Sequence, residues 1–355
     1  MEIEYDCTLH RKMRPHFGRG RCNILVCAGA VLLVGTLFVS YTIHTTESTW
    51  KARKLWGEMS GSSKALVAQR KEMVALEACE NPNTLVVAHS PFAFVALLSD
   101  HFEEYAVGAR KLAASLRMHN KGVDLILLEL KTRPIPPPII EAHLSLWKRC
   151  VVPPIDGPKI NHKNRFFQAW TYSKLHAWRL TEYEAVVVLD LDMLALRDPS
   201  DLFDYSLKQM RAEGKQIGAV RDRPMIPCFP PVMAQTRSVF NAGMLLLIPN
   251  QTTFAHLVRS IATVRHDPVE AEQAFMNQVF KHQFYELSVI YNSFSIMPLC
   301  EPSTWNYHKN EMRLLHYTVG KPWTYSVRRY WHSPVDLLSC WFWGVAEYCA
   351  LWHMM

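Results

Sequence analysis

Hydrophobic and polar residues alternate along the chain in a pattern of short apolar runs separated by amphipathic stretches. The stretches 105–118 and 139–149 carry apolar side chains at the three- and four-residue spacing of helices. Short apolar runs that predict strands flank them, at 94–99, 123–130 and 150–152. Strands that alternate with helices in this way predict an α/β fold, with a mostly parallel sheet covered by helices on both faces.

One run, Val186–Asp192, combines five apolar residues with two carboxylates and follows a helix predicted over 173–180. It predicts a strand buried on both faces, and in open α/β sheets ligands bind at the carboxyl ends of such strands. Asp190 and Asp192 are two residues apart, so their side chains leave an extended segment on the same side. A hard divalent cation would relieve the repulsion between them. The spacing alone leaves open a second interpretation, in which both carboxylates are solvated in a polar turn.

An apolar stretch without any charged side chain, residues 23–43, lies near the N-terminus. Its length suffices to span a bilayer, which takes about 20 mostly apolar residues. More basic residues precede it than follow it closely, which predicts a cytosolic tail over 1–22, an uncleaved anchor over 23–43 and a stem over 44–85. A core helix is the weaker alternative, because an apolar helix beside a basic tail has nothing local to pack against. The expected protein is therefore a single-pass type II membrane protein of the Golgi or endoplasmic reticulum, with a lumenal catalytic domain.

Charge and cysteine content narrow the classes of partner and compartment. The formal net charge is +7, but the basic residues are scattered and form no stripe interleaved with aromatic residues. Nucleic acid is therefore not an expected partner. The cysteines beyond residue 43 are even in number, which is compatible with disulfides and equally with buried free thiols. One N-glycosylation triplet is present, Asn250-Gln251-Thr252.

Four segments, in a fixed order, resemble glycosyltransferase family 8, the glycogenin-like group. Tyr172–Phe203 resembles the core of that family around its D-x-D motif, and Phe240–Asn250 resembles its Asn-Ser-Gly strand. The pair 272–273, Glu-Gln, resembles the family's Asp-Gln pair on a helix, and His316–Trp323 resembles its signature from a histidine to Lys-Pro-Trp. The resemblance implies a GT-A nucleotide-diphospho-sugar transferase fold over residues 86–333 and retention of the anomeric configuration.

The resemblance also implies roles for individual residues. A metal ion, Mn²⁺ with Mg²⁺ as the alternative, would be held by Asp190, Asp192 and His316. The residues that would contact the UDP-sugar donor, the first of them by stacking on uracil, are Tyr105, Lys174, Asp190, Leu191, Asp192, Asn241, Ala242, Gly243, Gly320 and Lys321. Those expected at the reacting sugar are Lys174, Glu272 and Gln273. The sequence departs from the family pattern at two positions, with Ala242 in place of Ser and Glu272 in place of Asp. These changes are expected to affect which donor sugar is used or how fast it is transferred.

Chemistry explains why these residue types occur together. Cleavage of the bond between sugar and diphosphate leaves negative charge on the leaving oxygen, which a cation stabilises as a Lewis acid. Carboxylate ligands suit both metals, whereas the nitrogen of His316 favours Mn²⁺. Lys321 would add a positive charge beside the diphosphate, and Gly243 would let the backbone approach the donor sugar.

The expected function is metal-dependent, retaining transfer of a hexosyl group from a UDP-sugar to a glycan, glycolipid or protein of the secretory pathway. Glucose, glucuronic acid and N-acetylglucosamine are the candidate sugars. Two other functions stay open. A catalytically weak nucleotide-sugar-binding protein of the same fold would also explain Ala242 and Glu272. A phosphatase of the haloacid dehalogenase type also places D-x-D after a strand, although Leu194 stands where that motif has Thr or Val.

Aromatic residues are concentrated in the C-terminal segment, 334–355. The preferred interpretation is a helix in the membrane interface, because Trp and Tyr settle at headgroup depth. A core helix is an alternative, and so is a second transmembrane helix, which Glu347 disfavours. Just before this segment, Trp305 and Tyr307 are candidates either for contact with the acceptor or for the core.

Overall fold

A computed structural model of the chain describes the region that the sequence assigns to the catalytic domain. The described residues are 88–99, 103–130, 137–158, 170–223, 239–318, 321–324 and Trp352. The predicted tail, anchor and stem lie outside them, as do Gly320 and most of the C-terminal segment. Within the described ranges, no helix is both long enough and apolar enough to cross a membrane.

Ten strands lie in the described ranges. In chain order they are β1 (Phe92–Leu98), β2 (Asp124–Leu130), β3 (Lys148–Val152), β4 (Ala185–Leu189), β5 (Met193–Ala195), β6 (Ile217–Arg221), β7 (Phe240–Leu247), β8 (Tyr285–Leu287), β9 (Ser293–Phe294) and β10 (Leu314–His316). Seven of them form one sheet with the order β3-β2-β1-β4-β7-β6-β8, and the others form a small sheet with the order β5-β10-β9.

The helices of the described ranges include both α-helices and short 3₁₀-helices. The α-helices are α1 (Glu103–His119), α2 (Pro137–Ile139), α3 (Tyr205–Ala212), α4 (Gln251–Ser260), α5 (Ala271–Val279), α6 (Met297–Cys300) and α7 (Pro302–His308). The 3₁₀-helices are Thr171–Arg179, Ser200–Phe203, Pro268–Glu270, Val289–Tyr291 and Pro322–Thr324.

The large sheet is mixed but mostly parallel, as the sequence predicts. Strand β4 lies at its centre, parallel to β1 and antiparallel to β7. All five residues of β4 are buried, which confirms the predicted strand covered on both faces. Alternate residues point to opposite sides: Val187 and Leu189 join the core under α1, whereas Val186 and Val188 join the core under the 3₁₀-helix Thr171–Arg179 and α5. The fold therefore has helices on both faces of the sheet.

Two predicted helices differ from the structure. The helix expected over 139–149 ends early: α2 continues only as a π-helical turn, Ile140–Leu144, before β3 begins at Lys148. The reason is tertiary, because the indole Nε1 of Trp147 donates to the carbonyl of Ala109 in α1 and the following residues pair with β2. The helix expected over 173–180 is present but has 3₁₀ geometry, as Thr171–Arg179.

The small sheet lies beyond the carboxyl end of β4. Strand β10 pairs antiparallel with β5 and parallel with β9, which sets His316 opposite Met193, the residue after Asp192. Apolar side chains of these strands form their own buried cluster, in which Trp305 takes part at 7% exposure. Tyr307, by contrast, is 79% exposed. The structure thus assigns Trp305 to the core.

The one described residue of the C-terminal segment, Trp352, is buried against the catalytic domain. Its ring packs against Tyr317 and Trp323 at centroid distances of 5.3 and 6.0 Å. The ammonium of Lys111 in α1 donates to its carbonyl oxygen. At Trp352 the domain core takes up the apolar surface, as in the alternative core-helix interpretation. The interfacial helix predicted over 334–355 otherwise lies outside the described residues and stays a prediction.

Candidate active site

The site begins at the carboxyl end of β4, the central strand of the large sheet. The amide of Asp190 still follows the sheet pattern and donates to the carbonyl of Gly243 in β7, at 2.8 Å. The chain then turns, with the amide of Met193 donating to the carbonyl of Asp190. The Asp190 side chain keeps 29% exposure while that of Asp192 keeps only 6%. One carboxylate therefore faces solvent in part, and the other is enclosed.

His316 approaches both carboxylates from β10. Its Nε2 lies 3.4 Å from Oδ1 of Asp192 and 3.8 Å from Oδ2 of Asp190. Ligand atoms from the three side chains all lie within 4.8 Å of one another. Two carboxylate oxygens and one imidazole nitrogen are a donor set that suits Mn²⁺, and two of the side chains are buried. The residues present therefore fit the metal ion that the sequence implies.

Two lysines balance the negative charge of this edge. Lys321, from the loop after β10, pairs with Oδ2 of Asp192, and Lys174 pairs with Oδ1 of Asp190 at 2.7 Å. Burial acts to raise the pKa of Asp192, but the charge of Lys321 is the largest opposing cause, and the pKa lies well below its usual range. Asp192 is therefore a carboxylate at any physiological pH, ready to act as a ligand.

Lys174 links the carboxylate edge to α5. Its Nζ lies 2.7 Å from Oε1 of Glu272 and 3.4 Å from the carbonyl oxygen of Ala242. Burial lowers the pKa of Lys174, but the charges of Asp190 and Glu272 outweigh burial and raise the pKa above its ordinary value. The residue is thus a permanent cation held between two carboxylates.

Amide side chains form a network beside this ion pair. Oε1 of Gln273 accepts from the amide of Ala242 at 3.0 Å and from Nδ2 of Asn241 at 3.2 Å. Both Gln273 and Asn241 donate to the carboxylate of Asp222, at 3.1 and 3.2 Å. Burial raises the pKa of Asp222, although its hydrogen bond from Asn241 acts in the opposite sense.

Two residues of this network were missed by sequence reasoning. Asp222 directly follows β6, so a carboxylate at the end of a strand was a usable signal. Asn292 is fully buried and joins His316 to Asn241, with distances of 2.9 Å on each side. It lies in a loop between short elements, where no sequence pattern marks it.

Gly243 has a packing role that the sequence did not reveal. A Cβ atom at this position would lie 2.7 Å from Nδ1 of His316 and 2.9 Å from Oδ1 of Asn241, closer than real Cβ contacts. The expected reason for this glycine was approach of the backbone to the donor sugar. In the structure, it is the His316 ring that occupies the space.

The remaining predicted donor contacts lie on the α1 side of the site. The ring of Tyr105, at the start of α1, packs against Trp323 with centroids 4.9 Å apart. The carbonyl oxygen of Leu191 lies 2.6 Å from where a Cβ atom of Gly108 would stand, so glycine allows α1 to approach the turn after β4. Tyr105 and Leu191 thus border Lys321 and the carboxylates, while Gly320 lies outside the described residues.

A mixed, mostly parallel sheet with helices on both faces and paired carboxylates after its central strand is the arrangement of a GT-A-like fold. The family model described as glycosyl transferase family 8 matches residues 96–326. That span is more than half of the chain, and the protein belongs to this family and is a glycosyltransferase.

The chain is also similar to named glycosyltransferases at 27% to 28% identity. Galactinol synthase 1 of Solanum lycopersicum is 27% identical over 254 residues, which cover 68% of this chain and 76% of that protein. A putative UDP-glucuronate:xylan alpha-glucuronosyltransferase 3 of Arabidopsis thaliana is 28% identical over 182 residues, covering 50% of this chain and 24% of that protein.

Among solved structures, the galactosyltransferase LgtC with donor and acceptor sugar analogs matches with a TM-score of 0.44 and 18% identity. The match covers 65% of this chain and 89% of that chain. The bifunctional glycosyltransferase WbbM matches with a TM-score of 0.47 and 20% identity, covering 67% of this chain and 48% of that one.

Proposed function

We propose that this glycosyltransferase transfers a hexosyl group from a UDP-sugar to a glycan, glycolipid or protein acceptor, with retention of the anomeric configuration. The observation that carries the proposal is the convergence of Asp190, Asp192 and His316 between two lysines. Such an arrangement suits a ligand that combines a divalent cation with a diphosphate. Glucose, glucuronic acid and N-acetylglucosamine remain the candidate sugars. The name of the Arabidopsis relative includes UDP-glucuronate, which supports glucuronic acid as one candidate.

The residues would divide the work by position. Asp190, Asp192 and His316 would hold Mn²⁺, which when bound supplies Lewis-acid stabilisation of the leaving diphosphate. Lys321 would move from Asp192 to a diphosphate oxygen, where its charge opposes the negative charge that develops there. Lys174, held by Glu272, would stay beside the donor sugar.

Location in the lumen of the secretory pathway is part of this proposal. Cys150 and Cys300 are each engaged in a disulfide, and disulfides persist mainly in oxidising compartments. The anchor expected over 23–43 would tie the enzyme to the membrane. Acceptors would then be molecules that travel through the Golgi or the endoplasmic reticulum.

The test is a donor screen on the full chain with and without Mn²⁺, measuring release of UDP. UDP-glucose, UDP-glucuronate, UDP-N-acetylglucosamine and UDP-galactose form the panel, and proton NMR of the product reads the anomeric configuration. We expect one donor to be turned over in the presence of Mn²⁺ and activity to be lost on chelation. Asp192→Asn and His316→Ala should each lower turnover by roughly 100- to 1000-fold. Turnover that is unchanged in both variants would remove the metal site from the proposal.

A further inference from the structure

Asn292 connects the metal-site histidine to the side chain of Asn241 in β7 through its own side-chain amide. It is fully buried, and its two amide atoms face different partners. The Oδ1 atom lies 2.9 Å from Nδ1 of His316, and Nδ2 lies 2.9 Å from Oδ1 of Asn241. A buried amide in contact with two polar side chains fixes their relative orientation, since an unpaired buried polar group is costly.

The donors and acceptors in the series of hydrogen bonds from Gly243 to His316 follow from one backbone donor. The amide N–H of Gly243 can only donate, and it donates to Oδ1 of Asn241 at 3.0 Å. An oxygen in that place requires a donor from Asn292, which must therefore be Nδ2. Its Oδ1 then faces His316 and requires a proton on Nδ1, because two acceptors do not bond each other.

We propose that Asn292 is a positioning residue that fixes His316 in the tautomer protonated on Nδ1. The lone pair of Nε2 then points toward the carboxylates of Asp190 and Asp192, from which it is 3.8 and 3.4 Å distant. Metal-binding histidines in general donate their other N–H to a fixed acceptor, and loss of that acceptor typically costs 10- to 100-fold in metal affinity. This proposal rests on the proposed metal-dependent function.

Asn292→Leu tests the proposal because it removes both hydrogen bonds at similar volume. In the metal-free full chain, long-range ¹H–¹⁵N spectra should show His316 protonated on Nδ1, with its signals assigned by their loss in His316→Gln. In Asn292→Leu, the Nε2-protonated form should appear and calorimetric Mn²⁺ affinity should fall roughly 10- to 100-fold. Asn292→Asp, which keeps an acceptor toward Nδ1, should retain more of the wild-type tautomer.

Asn277→Leu is the matched control. Asn277 is a buried asparagine whose side chain bonds to backbone groups, with Phe240 at 2.8 Å each way and with the carbonyl of Gln273 at 3.0 Å, and not to His316. Its loss should lower stability without changing the His316 tautomer or Mn²⁺ affinity. A wild-type His316 protonated on Nε2 but not on Nδ1, or wild-type affinity in Asn292→Leu, overturns the positioning role. Failure of the wild type to bind Mn²⁺ overturns the proposed metal function instead, and the metal-free spectra still decide the tautomer.

A second site lies at the opposite end of β7. Asn250-Gln251-Thr252 is the single Asn-x-Ser/Thr triplet in the sequence. Asn250 is exposed and caps α4, with its Oδ1 accepting from the amide of Thr253 at 2.9 Å. A substituent on Nδ2 leaves that oxygen in place, so the helix cap and a glycan are compatible.

The position of this triplet keeps a glycan away from the active site. Strand β7 is antiparallel to β4. Its first residues, including Asn241, therefore lie beside the carboxyl end of β4 and the active site, and its last residue, Leu247, lies on the opposite side of the sheet, beside the start of β4. The eight residues of β7 span roughly 25 Å at about 3.4 Å per residue. A glycan on Asn250 would therefore not obstruct the donor or the acceptor.

We infer that Asn250 is N-glycosylated, a step that rests on the proposed lumenal location. Nδ2 of Asn250 would form a bond to the anomeric carbon of an oligosaccharide carried on a diphospholipid. The bond from that carbon to the diphosphate breaks, and the proton of Nδ2 is released. The disulfides of Cys150 and Cys300 support exposure of this domain to an oxidising compartment.

Expression of the full chain in a eukaryotic secretory pathway tests the site. The wild type and Thr252→Ser should lose mass on treatment with an amidase that removes N-glycans. Thr252→Ala should not, although it leaves the Asn250 cap intact. Transfer activity should be the same in all three proteins. A catalytic domain that is protected from protease within microsomes yet unglycosylated overturns the site alone, whereas a domain that is accessible from the cytosol overturns the lumenal location.

Discussion

At the residue scale, the candidate site depends on a few side chains whose geometry leaves little freedom. His316 has its ring against Gly243, its Nδ1 toward Asn292 and its Nε2 toward two carboxylates. Lys174 is enclosed between Asp190 and Glu272. Single-atom changes at these positions should therefore alter chemistry more than stability.

Gly243→Ala should displace the His316 ring, because the new Cβ would stand 2.7 Å from its Nδ1. We expect Mn²⁺ affinity to fall roughly 10- to 100-fold, as measured by calorimetry. Gly122→Ala is the control, since the nearest atom to its Cβ would be 3.8 Å away. Equal Mn²⁺ affinity in Gly243→Ala and Gly122→Ala would show that the site tolerates the methyl group.

Glu272→Asp should move the carboxylate away from Lys174, to which it is now bound at 2.7 Å. If this contact selects the donor, the ratio of kcat/KM between two UDP-sugars should change. Steady-state kinetics with the two best donors of the panel measure this ratio. A loss of the same factor for both donors would mean that Glu272 sets the rate and not the specificity.

At the element scale, helix termini carry both strain and buried polar groups. Ala271, the first residue of α5, has φ of 49° although it is not a glycine, and it directly precedes Glu272 and Gln273. Such a conformation costs on the order of 1–3 kcal/mol. The strain is located where α5 brings two functional side chains to the site.

Ala271→Gly should relieve that strain and raise the free energy of unfolding by about 1 kcal/mol, after the entropic cost of glycine is deducted. Urea denaturation measures the change. Ala274→Gly, in the interior of the same helix, should lower stability by about 1 kcal/mol or more. Destabilisation of similar size in both variants would mean that the backbone at Ala271 is not strained.

His176, in the 3₁₀-helix Thr171–Arg179, should make stability depend on pH. Burial lowers the pKa of His176 from 6.5 to about 4, although its hydrogen bond to the carbonyl of Pro153 opposes this. Between these values only the unfolded state binds the proton, so stability should fall as the pH decreases from 6.5 toward 4. The expected loss is on the order of 3 kcal/mol.

His176→Gln keeps a donor toward Pro153 but cannot titrate in this range. Urea denaturation at several pH values should therefore give a smaller acid-induced loss for the variant than for the wild type. Parallel curves for the two proteins would exclude His176 as a source of the dependence.

At the scale of the whole molecule, the C-terminal segment and the signature loop share one aromatic cluster. Trp352 contacts Trp323, which contacts Tyr105 at the start of α1. Residues far apart in sequence thus support the loop that carries Lys321. The C-terminus is therefore part of the folded catalytic unit at this point.

Trp352→Ala should lower the free energy of unfolding by about 3 kcal/mol, the usual cost of a large side chain removed from a core. Tyr307→Ala, at a position that is 79% exposed, should change it by less than about 0.5 kcal/mol. Thermal or urea unfolding of the full chain measures both. If Trp352→Ala were as stable as Tyr307→Ala, the core position of Trp352 would be contradicted and a position in the membrane interface would be favoured.

The sequence by itself determined the alternation of strands and helices, the burial of β4, and the family. Its signals are local, since apolar periodicity and the D-x-D spacing depend on neighbouring residues. It also named Asp190, Asp192 and His316 together, through the resemblance. The sequence did not predict that the helix expected over 139–149 ends early or that Trp352 lies in the core. Contacts between residues far apart in sequence decide both.

Only the tertiary structure decided how the site residues meet. Gly243 faces His316 across 73 positions of sequence, and Asn292 joins His316 to Asn241 from a loop without a pattern. The sequence left open whether the cysteines are disulfide-bonded or free thiols, and in the structure Cys150 and Cys300 are each disulfide-bonded. Steric exclusion and hydrogen-bond direction act between atoms that are close in space. The order of residues along the chain shows neither steric exclusion nor hydrogen-bond direction, so these contacts are known only from the folded structure.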